Sequence, residues 1–319
     1  MYSSGLKRSF GLFLAVPAVL ALLLVSGCGD GSDTEANGTE GRPGTGDTAK
    51  LQTGAGEPAK SDDGFVPAFS EVKQDKGPVF SEGCLITGGQ PESGECAYGS
   101  VDSPRQVVVL GDSHALQWTP ALIEIADQRD WRLVALLHAN CTAAQVSVNP
   151  DCDRWRENAL ARIKKERPGL VVVASNTGPN MTVQSGGETL DREAAEPLLE
   201  SGMAKTFRDL GQAGAEVTLI QDMAMSKDYL PSECVAENRS DPAKCTFVMD
   251  RPPALAYDLK AAEEVGGIEV IDPLERICPG YVCDPVHGNY LKFRDRFHIT
   301  ATYSKLLAPW LDQALHNPW

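Results

Sequence analysis

The sequence has few basic residues and no cluster of them. It contains 29 lysines and arginines against 44 aspartates and glutamates, which gives a formal net charge of −15. A protein that binds nucleic acid neutralises phosphates with clustered basic side chains. Nucleic acid is therefore not an expected partner. The sequence also has no internal repeat and no motif for a metal ion or a nucleotide, so no cofactor is predicted.

The sequence also lacks an N-terminal apolar run long enough to cross a membrane. Residues 10–25 form an apolar run interrupted by Pro17, whereas a spanning helix needs roughly 20 residues. Lys7 and Arg8 precede the run, and small residues follow it. A positive segment, a short apolar segment and small residues together are typical of a secretory signal peptide.

The residues Val25-Ser26-Gly27-Cys28 close this segment. They resemble the lipobox of bacterial lipoproteins, in which cleavage before the cysteine exposes it for acylation. The resemblance implies that residues 1–27 are a lipoprotein signal peptide and that Cys28 carries the lipid. The protein would then be extracytoplasmic and anchored by its acyl chains to the outer face of the bacterial cell membrane. Simple secretion and an uncleaved anchor are the alternatives.

Residues 28–63 contain hardly any large apolar side chain and consist mainly of small, acidic and hydroxyl residues. Such a segment cannot bury enough apolar surface to offset the entropy lost on ordering. We therefore expect residues 28–63 to be a disordered tether. The remaining residues, 64–319, are long enough for one large domain.

The cysteines agree with an exported protein. Of the nine cysteines, Cys28 is assigned to the lipid, which leaves an even number. No Cys-x-x-Cys couple of the kind that favours zinc is present, so disulfides are expected. Neighbouring cysteines suggest one of the many possible pairings. That pairing is Cys84 with Cys96, Cys141 with Cys152, Cys234 with Cys245, and Cys278 with Cys283.

Strand-like and helix-like segments alternate along residues 64–319. The predicted strands are residues 106–110, 132–137, 170–174, 216–221 and 268–271. The predicted helices are residues 120–129, 154–167, 191–213, 253–265 and 301–316, the last with Thr300 as its N-cap. This alternation predicts an α/β fold, a three-layer doubly wound sandwich. Its mainly parallel five-stranded sheet would have the flavodoxin-like order 2-1-3-4-5.

The predicted strand order locates a binding site before any motif is considered. Ligands bind beyond the carboxyl ends of the strands where the winding reverses, here between the first and third strands. The loop after the first strand contains Ser113, just ahead of a helix. Backbone N–H groups at a helix start favour a developing oxyanion. Ser113 is therefore a candidate nucleophile that needs a base.

The base is expected from the segment before the last helix. Asp295 and His298 are three residues apart, so in a helix-like loop the carboxylate can reach the imidazole. The carboxylate would fix the tautomer of His298 and leave its other nitrogen for Ser113. Ser113, His298 and Asp295 are thus predicted to be nucleophile, base and acid.

The Gly-Asp-Ser sequence at residues 111–113 and the Asp-x-x-His sequence at residues 295–298 resemble the SGNH (GDSL-like) hydrolase superfamily. His114 and the loop cysteines are most similar to the SGNH domains of acyltransferase-3 proteins, which modify cell-surface sugars. The resemblance covers roughly residues 106–319 and implies O-acyl, usually O-acetyl, transfer or removal. It also implies a glycine after the second strand and an asparagine after the third as oxyanion donors.

The oxyanion donors match this pattern only in part. Asn176 follows the third strand, and with the N–H of Ser113 it is the expected donor pair. No glycine follows the second strand, where a backbone N–H of residues 139–141 could serve instead. We assign Asp112 to capping or bracing the serine loop, while His114 is left as a supporting or substrate-contacting group.

These observations predict a serine-dependent O-acyl esterase or acyltransferase that acts through an acyl-enzyme. The expected substrate is an acylated cell-envelope glycan or a small ester, and a separate membrane acyltransferase is a possible partner. Trp118, Trp155 and Tyr290 are candidates for stacking on sugars. The alternative is an envelope sugar-binding lipoprotein that keeps the fold without turnover.

Overall fold

The computed structural model describes residues 64–178, 182–223, 230–249 and 256–319. The predicted signal peptide, the acylation site at Cys28 and the predicted tether lie outside these residues. Among the helices that the structure describes, none combines the length and the apolar character needed to cross a membrane.

The described part of the chain alternates strands with helices. The strands are β1 (Leu85–Ile86), β2 (Ala97–Gly99), β3 (Gln106–Gly111), β4 (Arg132–His138), β5 (Leu170–Ala174), β6 (Gln184–Ser185), β7 (Glu188–Thr189), β8 (Glu216–Ile220), β9 (Phe247–Val248), β10 (Glu269–Ile271), β11 (Val282–Cys283), β12 (Val286–His287) and β13 (Tyr290–Leu291). The helices are α1 (Pro78–Ser81), α2 (Ser113–Leu116), α3 (Thr119–Arg129), α4 (Pro150–Glu166), α5 (Arg192–Gln212), α6 (Pro231–Glu237), α7 (Tyr257–Val265), α8 (Leu274–Ile277), α9 (Ala301–Leu306) and α10 (Ala308–Ala314).

The central sheet of the described residues has seven strands in the order β1-β4-β3-β5-β8-β10, with β2 paired to β4. The five predicted strands are β3, β4, β5, β8 and β10, and their predicted order, 2-1-3-4-5, is confirmed. All five run parallel. The prediction of five strands was too low, because β1 adds to β4 in parallel and β2 adds to it antiparallel.

The sheet is covered on both faces, which makes three layers. On β3, Val107 and Val109 join the core that includes residues of α3, α9 and α10. Val108 and Leu110 alternate with them and join the core that includes residues of α4, α5 and α7. Because successive side chains of a strand point to opposite faces, a strand buried on both faces is apolar throughout.

The helix predictions hold except at the C-terminus. The predicted helix over residues 301–316 is divided into α9 and α10 around Leu307. Pro309 lies in the first turn of α10, and a proline lacks the N–H that a continuous helix needs there. The Thr300 hydroxyl caps α9 by accepting a hydrogen bond from the Tyr303 N–H at 3.0 Å. The predicted start of α7 falls partly on residues 250–255, which lie outside the described residues.

The four predicted disulfides are confirmed, each joining neighbouring cysteines: Cys84 with Cys96, Cys141 with Cys152, Cys234 with Cys245, and Cys278 with Cys283. The first of them closes a ring of residues 84–96, which contains β1 and ends just before β2. The second fixes the loop between β4 and α4. Each bond therefore constrains one loop and does not join distant elements.

Candidate active site

A close approach between two strands shapes the loop that carries Ser113. Gly111 ends β3, and a Cβ atom at this position would lie 1.8 Å from the carbonyl oxygen of Ala174 on β5. Any other residue would therefore push the strands apart. The chain turns at Asp112, and Ser113 becomes the first residue of α2.

The Asp112 carboxylate braces this turn. Its Oδ1 accepts a hydrogen bond from the His114 N–H at 2.8 Å, which caps α2. Its Oδ2 accepts one from the Asn176 N–H at 2.9 Å. Burial raises the pKa of Asp112 to about 6. The carboxylate thus joins the loop after β3 to the loop after β5.

Ser113, His298 and Asp295 form a chain of hydrogen bonds with His298 in the middle. The Ser113 Oγ is 2.9 Å from the His298 Nε2. The His298 Nδ1 is 2.9 Å from both carboxylate oxygens of Asp295. The backbone N–H groups of Phe297 and His298 also donate to Asp295 Oδ1. The carboxylate therefore organises the whole Asp-x-x-His loop as well as the imidazole.

Two contacts position the Asp-x-x-His loop next to the loop that carries Ser113. Phe293 and Ile299 form an antiparallel bridge at its base. The buried Gln117, directly after α2, accepts a hydrogen bond from the Ile299 N–H at 3.0 Å. Because one end of this contact follows Ser113 and the other follows His298, it fixes the distance between these two residues.

The charges of the site favour a neutral imidazole. Burial alone would raise the pKa of Asp295, but the hydrogen bond from His298, the backbone N–H of Phe297 and the charge of Arg294 hold it well below its usual range. Burial lowers the pKa of His298, and the nearby His114 and Arg294 add to this against the effect of Asp295. At neutral pH the pair is a carboxylate and a neutral base.

Two unpaired donors lie on the loops beside Ser113. The Ser113 N–H makes no hydrogen bond within the described residues. The side chain of Asn176 accepts from the Gly178 N–H through Oδ1 at 2.7 Å, which leaves its Nδ2 without a partner there. These are the two groups that the sequence predicted as oxyanion donors.

The backbone after β4 offers fewer donors than the sequence left open. The Ala139 N–H donates to the Ile86 carbonyl, and the Cys141 N–H donates to the His138 carbonyl. Among residues 139–141, the described hydrogen bonds leave the N–H of Asn140 unpaired, in a residue with a φ of 56°.

The prediction of sugar stacking was wrong for both tryptophans. Trp118 is 1% exposed and Trp155 is not exposed at all, so neither face is available to a ligand. Both belong to the cores on either side of the sheet. Tyr290 is half-buried. Phe297, next to His298 in the sequence, is exposed at 42%.

The sequence did not predict the role of Asp222. It follows β8 at the same edge of the sheet, and its Oδ1 lies 2.5 Å from the His114 Nδ1. Its Oδ2 accepts hydrogen bonds from the N–H and hydroxyl of Thr177. A signal was present, since Asp222 comes directly after the fourth predicted strand, where ligand-binding groups collect.

The chain is similar in sequence to a known protein family. The sequence model of a family described as "SGNH domain (fused to AT3 domains)" matches residues 83–313. No curated protein matches the chain.

Several solved structures are similar to the chain. The periplasmic domain of a lipopolysaccharide acetyltransferase from Salmonella ser. Paratyphi A is 15% identical, covers 74% of this chain and 87% of its own, and has a TM-score of 0.48. A GDSL-like lipase from Bacteroides thetaiotaomicron VPI-5482 is 15% identical, with coverage of 66% and 90% and a TM-score of 0.37. An acetyl xylan esterase is 14% identical, with coverage of 66% and 100% and a TM-score of 0.38. At these identities no activity is carried over to this chain.

Proposed function

Since this chain belongs to the family of SGNH domains that are fused to AT3 domains, we propose that it is an extracytoplasmic, serine-dependent O-acyl esterase or acyltransferase. One observation carries the proposal. The Ser113 Oγ lies 2.9 Å from the His298 Nε2, while the other ring nitrogen of His298 is held by Asp295. A nucleophile, a base and a group that orients the base are the three parts that acyl transfer requires.

In the first half of the reaction, the Ser113 Oγ attacks the carbonyl carbon of an ester, and its proton moves to the His298 Nε2. Asp295 stabilises the imidazolium that forms. The carbonyl oxygen becomes an oxyanion, which the Ser113 N–H and the Asn176 Nδ2 would stabilise. The bond to the leaving oxygen then breaks, and that oxygen takes the proton from His298. The acyl group stays on Ser113.

In the second half, water or a sugar hydroxyl gives its proton to His298 and attacks the acyl-enzyme. The Ser113 Oγ leaves and takes the proton back, so the triad is restored. Water as the acceptor gives an esterase, and a sugar hydroxyl gives a transferase. The same residues serve both outcomes, so the acceptor decides which enzyme this is.

We assign the reaction to acylated carbohydrate of the cell envelope. Four disulfides in one domain are typical of proteins from oxidising compartments. An SGNH domain that is elsewhere fused to AT3 domains supports a role beside a membrane acyltransferase. In this chain a lipid on Cys28 would keep the domain at the membrane, where a separate acyltransferase could deliver the acyl group.

An acetyl-partition experiment tests this function. The purified protein is incubated with an O-acetylated oligosaccharide and an unacetylated acceptor, and free acetate and acetylated acceptor are measured. We expect both reactions to require Ser113, with acetate release exceeding acceptor acetylation if the protein is an esterase. Acceptor acetylation in excess would instead identify a transferase. Binding of the oligosaccharide without either product would identify a sugar-binding protein and contradict the proposal.

A further inference from the structure

A second histidine–aspartate pair, His114 and Asp222, lies beside the triad. The His114 Nδ1 is 2.5 Å from the Asp222 Oδ1, and the two side chains are 6% and 3% exposed. The His114 Nε2 makes no hydrogen bond within the described residues. The ring of His114 packs edge-on against the ring of His298, with centroids 4.8 Å apart. None of the bond-making steps above uses this pair.

The pair is an ion pair at neutral pH. Burial alone would lower the pKa of His114, but the Asp222 carboxylate, followed by Asp112, raises it to about 9. Burial would likewise raise the pKa of Asp222, but the His114 cation and the hydrogen bonds from Thr177 hold it below its usual range. A buried imidazolium therefore lies in contact with the base of the triad.

Asp222, which holds the His114 side chain beside His298, is itself held by three hydrogen bonds. Its Oδ2 accepts hydrogen bonds from the Thr177 N–H at 2.8 Å and the Thr177 hydroxyl at 3.0 Å. Its Oδ1 also accepts one from the Met223 N–H at 2.8 Å. The backbone amide of His114 is held in turn by Asp112.

Further charged and titratable groups surround the His114–Asp222 pair and His298. They are Asp112, Asp258, Arg294 and Asp295. Asp258, at the start of α7, lies near Asp222, and burial raises its pKa to about 7. With a pKa near 7, Asp258 is only partly ionised at neutral pH, so it competes less strongly than Asp222 for the His114 charge. Arg294 acts on His298 in the same direction as His114, and Asp295 opposes them both.

We propose that His114 is an electrostatic positioning residue, a cation that Asp222 holds against His298 so that the His298 Nε2 stays unprotonated and ready to accept the Ser113 proton. This inference rests on the proposed function. A cation close to an imidazole disfavours its protonated form. The same repulsion makes the protonated His298 a stronger acid, which helps it to return the proton to the leaving oxygen.

The test is an NMR titration of the histidine side chains in the full protein. The chain has five histidines, so substitution can assign each imidazole signal. In the wild type we expect His114 to stay protonated up to a pH of about 9 and His298 to titrate below 6.5. In His114→Gln and in Asp222→Asn, the midpoint of His298 should rise by about half a pH unit or more.

His138→Gln is the matched control. His138 is also a buried histidine at the carboxyl edge of the sheet, at 6% exposure, but its Nδ1 bonds to the Ala139 carbonyl and not to a carboxylate. This variant should leave the His298 midpoint unchanged. In Asp222→Asn, the His114 midpoint should itself fall well below 9, because burial is then no longer opposed by a paired carboxylate.

The acid limb of kcat/KM for ester hydrolysis should move with the NMR midpoint of His298.

An unchanged His298 midpoint in both variants would overturn the inference, and so would an equal change in His138→Gln. If one of these two variants does not fold, the His298 midpoint of the other variant tests the inference. If His114 in the wild type loses its proton at or below pH 6.5, the inference fails without any variant. Absence of Ser113-dependent turnover would refute the proposed function. The NMR midpoints of His114 and His298 would still test whether the ion pair is present and lowers the pKa of His298.

Discussion

The Asp112 carboxylate accepts a hydrogen bond from the backbone N–H of Asn176, with 2.9 Å between the two heavy atoms. Its other oxygen caps the helix that begins at Ser113. One buried side chain therefore sets the spacing between Ser113 and the candidate oxyanion donor. The two loops come from different strands, so no local sequence preference could maintain this spacing.

Replacing Asp112 should affect stability and activity together. Asp112→Ala leaves the N–H groups of His114 and Asn176 without acceptors, and each unpaired buried group costs about 1–3 kcal/mol. Because two such groups lose their acceptor, urea unfolding should show a loss of about 2–6 kcal/mol, with a fall in esterase activity. Asp112→Asn keeps an acceptor oxygen and should lose less of both. A fully stable Asp112→Ala protein would contradict the bracing role.

Asn176→Ala should slow the chemical step while leaving substrate binding largely intact. If Nδ2 stabilises the oxyanion, its removal should lower kcat by about 10²–10³-fold with little change in KM. Steady-state kinetics on an activated ester measure both constants. Asn158→Ala is the control, because the Asn158 amide bonds to the Pro91 carbonyl and so joins α4 to the segment between β1 and β2, away from the loops that carry Ser113 and Asn176 in the sequence. Equal kcat values for the two variants would show that Asn176 does not stabilise the oxyanion.

Asp295→Asn should lower kcat by about 10⁴-fold at neutral pH, because an amide no longer holds the His298 tautomer or stabilises the imidazolium. The wild-type rate should fall as the pH drops through the pKa of His298, which lies below 6.5. Without the Asp295 carboxylate that pKa falls further, so the acid limb should move to lower pH. This is opposite to the shift expected for His114→Gln. A pH–rate profile for each variant measures the position of its acid limb. If the acid limbs of Asp295→Asn and His114→Gln shift in the same direction, the assigned charges are wrong.

The sequence predicted the five parallel strands and their order because strand-like and helix-like segments alternate, and because β3 and β5 are buried on both faces and are therefore apolar throughout. Continuous apolar runs such as residues 170–174 have few alternatives to a parallel strand. The Asp-x-x-His spacing is local, so the contact between Asp295 and His298 could be expected from three residues of separation. The proximity of Ser113 and His298 could be expected because their loops lie at the same edge of the sheet.

Other features were beyond prediction for physical reasons. Strands β1 and β2 have two and three residues, too few to show a period, and they form because the edge of β4 is open to pairing. The contact of His114 with Asp222 joins positions 108 residues apart. An aspartate after a strand is common as a turn residue. The burial of Trp118 depends on packing that composition does not encode.

Asp258 should make stability depend on pH. Its carboxyl is buried, its Oδ2 has no hydrogen-bond partner, and burial raises its pKa to about 7 from roughly 3.9 in the unfolded chain. The folded state therefore binds more protons between these values, and the free energy of unfolding decreases as the pH rises from about 4 to about 7.

Asp258→Asn removes this titration. Relative to the wild type, its free energy of unfolding should be higher at pH 8 than at pH 5 by about 1–3 kcal/mol. Urea unfolding of both proteins at the two pH values measures the difference. A difference that does not change with pH would mean that Asp258 is ionised throughout in the folded protein.

The role of Ser113 is tested most directly by mass spectrometry of the protein after reaction with a fluorophosphonate, which labels serines activated by a neighbouring base. We predict one phosphonyl group on the peptide that contains Ser113, its absence in Ser113→Ala, and strongly reduced labelling in His298→Gln. An unlabelled wild-type protein, or a label that remains in Ser113→Ala, would contradict a serine nucleophile at this site.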